Sequence, residues 1–213
     1  MRVLAVPVKA VERAKSRLAP VLTMAERAAL TLIMLEDVLD ACLAQETWEV
    51  WVVSRDEAVL ESAARRGARP LIEEARSLQE AVRQVEGEVP GRTSELAVVL
   101  ADLPFITAEA LATALGRRAP VVGAPADSDG GTNLLVRRPA STIRARFGRA
   151  SFAKHRWAAR RAGVEFAEVH LPELGFDLDR PADLARVLAS ERPTRTRGAC
   201  LEMRLPERLR MHA

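Results

Sequence analysis

Tyrosine is absent from this 213-residue chain, aromatic residues make up 4% of it, and there are two cysteines and three histidines. Cys42 and Cys200 are too few and too far apart for a disulfide framework or a metal knuckle. No apolar run approaches the roughly 20 residues that cross a bilayer, so no membrane partner is expected. The start, MRVLAVPVKAVERAK, meets Lys9, Glu12 and Arg13 too early for a secretory leader and shows no small-residue cleavage site. It reads as a first strand, and the protein as a soluble cytoplasmic one. Neither G-x-x-x-x-G-K-[ST] nor G-x-G-x-x-G occurs, which removes the support for a P-loop kinase or a dinucleotide dehydrogenase. A G-x-S-x-G elbow is missing too, and with it the usual serine hydrolase.

The net charge of +3 and pI near 9.4 do not indicate a nucleic-acid partner. From Ser190 onward six arginines face three glutamates, while the first 189 residues are balanced at 26 basic and 26 acidic. A nucleic-acid face needs concentrated basic charge and often aromatic platforms, and the chain has neither in its body. The expected organisation is one domain over residues 1–189, followed by a basic, flexible tail over 190–213.

Apolar runs at 2–8, 49–53, 69–72, 96–100, 121–126, 133–136 and 165–170 read as strands. They alternate with helical spacing at 23–44, 56–66, 77 onward, 107 onward, 151–162 and from Pro181. Thr23 with Glu26 has the form of a capping box, and Ser77 with Glu80 repeats it. Strands alternating with helices predict an α/β domain with a mostly parallel sheet covered on both faces.

In such a sheet ligands sit beyond the carboxyl ends of the strands, so the residues just after each strand are the first candidates. Lys9, Arg13, Lys15, Ser16 and Arg17 follow the first strand, where they suit a triphosphate. Asp102, in VVLADLPFIT, is placed to ligate Mg²⁺ beside substrate phosphates. In GFDLDRPADL, Asp177 or Asp179 would supply a second carboxylate, with Asp179 read as the cap of the helix entered at Pro181. In APADSDGGTNLLV the D-S-D-G spacing fails as a calcium loop, because Thr132 and Arg138 stand where glycine and glutamate are needed. Gly130, Gly131 and Thr132 form one expected anion cradle, with Asp127 and Asp129 either helping at the metal or, as the favoured reading, only shaping the approach to Gly130; Gly148 and Ser151 of RFGRAS form a second cradle at a helix start. His155 reads as a packing or surface residue, His170 as the end of a strand, and His212 as part of the tail.

Together VKAVERAKSRLAP, MLEDVL, ADLPFIT, DSDGGTNLL, RFGRASFAKH and GFDLDRPADL resemble, in order from about Val3 to Leu188, the 2-phospho-L-lactate guanylyltransferase family, also called CofC or FbiD. The resemblance implies a single-domain, three-layer nucleotidyltransferase fold of the nucleotide-diphospho-sugar transferase type, related to MobA. It implies transfer of GMP from GTP to phosphoenolpyruvate, 2-phospho-L-lactate or 3-phospho-D-glycerate, in the synthesis of coenzyme F(420). By analogy Lys9, Lys15 and Arg17 contact the GTP phosphates, Asp102 and Asp177 hold Mg²⁺, and Thr132, Gly148 and Ser151 hold the acceptor. The family's G-L-N-x-A pattern is replaced by SLQEA, where Gln79 would take over an asparagine's amide contacts. Two rivals stand beside this reading: a MobA-like enzyme with another acceptor, and a non-catalytic nucleotide-binding module. A homo-oligomer is left open.

Overall fold

The computed structural model describes residues 1–11, 14–74, 77–90 and 94–211. Arg13 and His212 lie outside them. Seven strands form one sheet: β1 (Arg2–Pro7), β2 (Glu49–Ser54), β3 (Arg69–Ile72), β4 (Glu95–Val99), β5 (Val121–Pro125), β6 (Thr132–Arg137) and β7 (Phe166–Glu168). Their order is β3-β2-β1-β4-β6-β5-β7. All neighbours pair in parallel except β6, which runs antiparallel to both β4 and β5. The sheet is therefore mostly parallel, as its apolar runs predict.

In β1, RVLAVP, every residue after Arg2 is apolar and buried, because both faces of the strand are covered from Val3 onward. Leu4 and Val6 face one layer, with Leu35, Val38 and Leu39 of α1 (Met24–Leu43), Val59 of α2 (Glu57–Arg65), Leu111 of α4 (Ala108–Leu115) and Leu174 of α6 (Pro172–Gly175). Val3 and Ala5 face the other, with Val82 and Val85 of α3 (Leu78–Glu88) and Ala159 of α5 (Ser151–Arg161). Three of these helices start where expected. The Thr23 hydroxyl accepts from Glu26 N–H while the Glu26 carboxylate accepts from Thr23 N–H, and Ser77 and Thr107 cap α3 and α4.

The flexible tail expected from Ser190 is corrected. After α7 (Pro181–Ala189) the chain forms α8 (Arg195–Glu202) and α9 (Leu205–Met211). Thr196, Ala199, Cys200 and Leu205 are buried. Asp37 of α1 docks α8: its carboxylate accepts from Arg195 N–H (3.0 Å), Thr196 N–H (2.9 Å) and the Thr196 hydroxyl (2.6 Å). The arginines are matched by distant acids: Arg195 pairs with Asp40 at 2.7 Å, Arg208 with Glu26 at 2.6 Å and Arg192 with Glu173 at 2.7 Å. Cys200 and Leu205 complete a third apolar cluster with Leu18, Leu30, Met34, Phe105, Phe176, Leu178 and Leu184. That cluster lies beneath two loops, the one after β1 and the one carrying Asp177 and Asp179.

Candidate active site

Because β1 pairs with β4, the loops leaving their carboxyl ends are neighbours. β6 is antiparallel, so its first residue, Thr132, lies at that same edge. A cavity of about 370 Å³ opens there, lined by Lys9, Lys15, Asp102, Asp177 and Asp179 on one side and by Gly131, Thr132, Gly148 and Ser151 on the other. Sequence reasoning placed Lys9, Lys15, Asp102, Asp177, Thr132, Gly148 and Ser151 at one site, and the fold brings all seven together.

Lys15 adopts φ 51°, ψ 37°, a left-handed conformation uncommon for a residue with a side chain. Leu18, buried in the following 3-10 turn (Ser16–Leu18), fixes it there. Its ammonium reaches Asp102 Oδ2 and Asp179 Oδ1, each at 2.9 Å. Burial works against the Lys15 charge, but these two carboxylates outweigh it and raise the pKa above the ordinary lysine value. The reading of Asp179 as a helix cap is corrected. The N-cap position is Arg180, and Asp183 in the first turn closes the helix start, its carboxylate accepting from Asp179 N–H (2.8 Å) and Arg180 N–H (2.6 Å). Asp179 is instead the partner of Lys15; burial opposes its charge, yet Lys15, Arg17 and Lys9 hold its carboxyl below the usual range.

Asp177 behaves oppositely. Burial first, then the charge of Asp102, pushes its pKa up to about 6, although the Ser128 hydroxyl donates to its oxygens at 3.1 and 3.2 Å. Backbone bonding ties the segment to the strand end, with Leu178 N–H donating to Asp102 O at 3.0 Å. Asp102 Oδ1 is buried with no hydrogen-bond partner. An orphaned carboxylate oxygen beside a second carboxylate that resists ionising is a place where a cation is stabilised. Among the described residues no three His, Cys, Asp or Glu side chains converge as a metal cage. Mg²⁺ needs none, since it commonly uses one or two carboxylates plus substrate phosphates.

The opposite wall joins the two expected cradles. Gly130 has φ +67°, and Phe152 N–H donates to its carbonyl at 3.2 Å, so the glycine turn and the start of α5 touch. The Asp129 carboxylate accepts from Gly131 N–H at 2.7 Å, and a Cβ on Gly131 would come within 2.6 Å of it. Asp129 thus shapes this turn, as its place before the glycines predicts, while Asp127 N–H donates to Gly175 O at 2.8 Å. The helix start is less open than expected, because Ser151 N–H is already taken by Gly148 O at 3.0 Å. The hydroxyls of Thr132 and Ser151 lie 2.9 Å apart, and His155 Nδ1 is 3.1 Å from Thr132 Oγ1.

Two expected residues lie elsewhere. Arg17 stands at the rim, 64% exposed, with Nη1 3.4 Å from Asp179. The Gln79 amide donates to Ala145 O at 3.0 Å, which holds the loop before RFGRAS and does not support the nucleotide contact expected of it. Sequence reasoning missed Arg55 and Glu73, which line the cavity beyond β2 and β3; burial raises the Glu73 pKa, partly offset by Arg55. The strand-end rule that found Asp102 points equally to Glu73, one residue past Ile72. His155, read as a packing or surface residue, is fully buried, and its bonds to Thr132 and Arg146 were not foreseen.

The family model for CofC-like guanylyl transferases matches residues 1–205. A phosphoenolpyruvate guanylyltransferase of Sphaerobacter thermophilus is 44% identical over 184 residues, covering 84% of this chain and 88% of that protein. A 2-phospho-L-lactate guanylyltransferase of Halomicrobium mukohataei is 39% identical over 188 residues, covering 88% and 85%. Among solved structures, a protein of Desulfovibrio desulfuricans described as a nucleotide-diphospho-sugar transferase superposes with a TM-score of 0.79 at 20% identity, over 99% of this chain and 97% of that one. That likeness bears on the fold, and it agrees with the layered nucleotidyltransferase architecture.

Proposed function

The chain belongs to the CofC-like guanylyl transferase family, and on that footing we propose that it transfers GMP from GTP to a small phosphorylated acid, releasing pyrophosphate, in the synthesis of coenzyme F(420). The observation that carries this reading is one cavity with two chemically distinct walls, a lysine and carboxylate wall at the β1/β4 edge and a hydroxyl and glycine wall at β6 and α5. The first suits a nucleoside triphosphate and the second a small anion.

Lys9 and Lys15, with Arg17 at the rim, neutralise the triphosphate. Asp102 and Asp177 are the residues that would hold Mg²⁺, which would offset phosphate charge there. Lys15 is held by Asp102, one of these two, and by Asp179, so it is placed to exchange Asp102 for a phosphate oxygen as the site fills. Thr132, Gly148 and Ser151 orient the acceptor so that one of its phosphate oxygens attacks the α-phosphorus of GTP. One phosphoanhydride bond forms, the bond to the β-phosphate bridging oxygen breaks, and pyrophosphate leaves with that electron pair. A phosphate dianion needs little help from a base, so positioning and charge neutralisation supply most of the acceleration. A site of lysines, carboxylates and glycines, with no histidine among the described residues that line it, fits that demand.

Phosphoenolpyruvate is the acceptor favoured first, because the relative sharing 44% identity carries that name. The test is product identification: purified protein with GTP and Mg²⁺ is offered phosphoenolpyruvate, 2-phospho-L-lactate and 3-phospho-D-glycerate in turn. A guanylylated acid seen by mass spectrometry, in step with pyrophosphate, is the expected result. GTP binding with no product from any acceptor would overturn it in favour of a non-catalytic module.

A further inference from the structure

His155 sits in α5 with both ring nitrogens engaged and its ring fully buried. Nε2 lies 2.8 Å from the backbone N–H of Arg146, and Nδ1 lies 3.1 Å from Thr132 Oγ1. A peptide N–H only donates, so Nε2 must present a lone pair. The ring is also kept uncharged: burial first, then the positive charges of Arg137, Lys154 and Arg146, pushes the pKa down to about 4. A neutral imidazole with its lone pair at Nε2 carries its hydrogen on Nδ1, and that hydrogen points at Thr132.

The consequence follows from counting hydrogens. Nδ1–H, the Thr132 hydroxyl and the Ser151 hydroxyl supply three hydrogens, and the two contacts among them, at 3.1 and 2.9 Å, use two. One hydroxyl hydrogen is left over, and both hydroxyls belong to residues lining the cavity. With the opposite tautomer Nδ1 would accept from Thr132, both hydroxyl hydrogens would be consumed, and the wall would offer only lone pairs. An anion is repelled by the second arrangement and held by the first.

We propose that His155 is a positioning residue for the acceptor: as the Nδ1–H tautomer it donates to Thr132, and so leaves the Thr132–Ser151 pair one hydrogen to give an acceptor carboxylate or phosphate. The same ring clamps the Arg146 end of the loop carrying Gly148, with Phe147 packed edge-on against it at 5.3 Å. His155 thus fixes the place and the polarity of the acceptor wall without touching the reacting atoms. This rests on the reading of that wall as the acceptor's.

The first measurement is a long-range ¹H–¹⁵N spectrum of the histidine rings in the intact protein, with His155 assigned by its loss in His155→Gln. The expected signature is a neutral Nδ1–H ring unchanged from pH 8 to about 6, two units above its depressed pKa near 4. An Nε2–H ring, or an imidazolium forming in that range, overturns the proposal whether or not any acceptor is turned over. The second is kinetic. In His155→Gln the side-chain amide can still accept from Arg146 N–H, but nothing directs the hydroxyl pair. The acceptor KM should rise about tenfold, with the KM for GTP and the melting temperature held. An unchanged acceptor KM, or equal rises for both substrates, contradicts the positioning role. If the variant does not fold, His155 is assigned by elimination with His170→Gln and His212→Gln, and the wild-type spectrum is decisive, supplemented by phosphoenolpyruvate added to the GTP-bound protein. That addition should shift the His155 signals, and no shift would count against the proposal.

Discussion

Lys15 combines a left-handed backbone, a nearly buried ammonium and two carboxylate partners. A strained residue held by its surroundings at a ligand cavity marks function more than stability. Lys15→Met is therefore expected to lower kcat/KM for GTP by about a hundredfold, measured by pyrophosphate release. Asp177 gives a prediction of opposite sign for stability. Its folded pKa, about 6, lies above the ordinary aspartate value of about 3.9. The ionised carboxylate therefore costs stability, fully above pH 6 and not at all once pH has fallen below the unfolded value. Asp177→Asn should be more stable than the parent by about 1 kcal/mol near pH 7, allowing for screening at a half-exposed group. Denaturant melts should show the gain fading between pH 6 and 4, while turnover is lost at every pH. Asp102 and Asp177 were legible because a strand end and an alternating D-x-D announce them. Asp179 was misread because the carboxylate that closes the helix start is Asp183, one turn further on. The packing of His155 was legible but its bonding was not, because its partners, Thr132 and Arg146, are brought to it by β6 and a loop rather than by its own helix.

At the scale of elements, strands and capped helices were legible because burial on both faces demands apolar runs and each cap is local. α8 and α9 were not. Their sequence is arginine-rich, and what buries them is a narrow face of small residues, Thr196, Ala199 and Cys200, set on α1. Their charges look unpaired in sequence because Glu26, Asp37 and Asp40 are over 150 residues away. The Glu26–Arg208 pair joins the cap of α1 to α9. The hydrogen bond from Arg208 leads the influences that lower the Glu26 pKa to about 2. A depressed carboxyl pKa stabilises the fold above the unfolded value, about 4.3, and that contribution disappears as pH falls toward 2. Glu26→Gln should accordingly melt lower than the parent at pH 7, and the two melting curves should converge in acid. Asp37→Ala, which strips three hydrogen bonds from the start of α8, should cost about 2 kcal/mol in a denaturant melt.

For the molecule as a whole, the third apolar cluster links C-terminal packing to chemistry. Leu18 follows Lys15 and Arg17, Phe176 and Leu178 flank Asp177, and all three share that cluster with Cys200 and Leu205. A chain ending at Ser190 should keep the sheet but lose the bracing of both loops, and a loss of GTP affinity with retained far-UV circular dichroism would register it. The central claim is that the carboxylate wall at the β1/β4 edge drives GMP transfer. Its most direct test is pyrophosphate release from GTP and phosphoenolpyruvate by Asp102→Ala beside the parent protein. The account predicts a fall of about a thousandfold or more in an enzyme that still melts cooperatively. Turnover within about tenfold of the parent would contradict it.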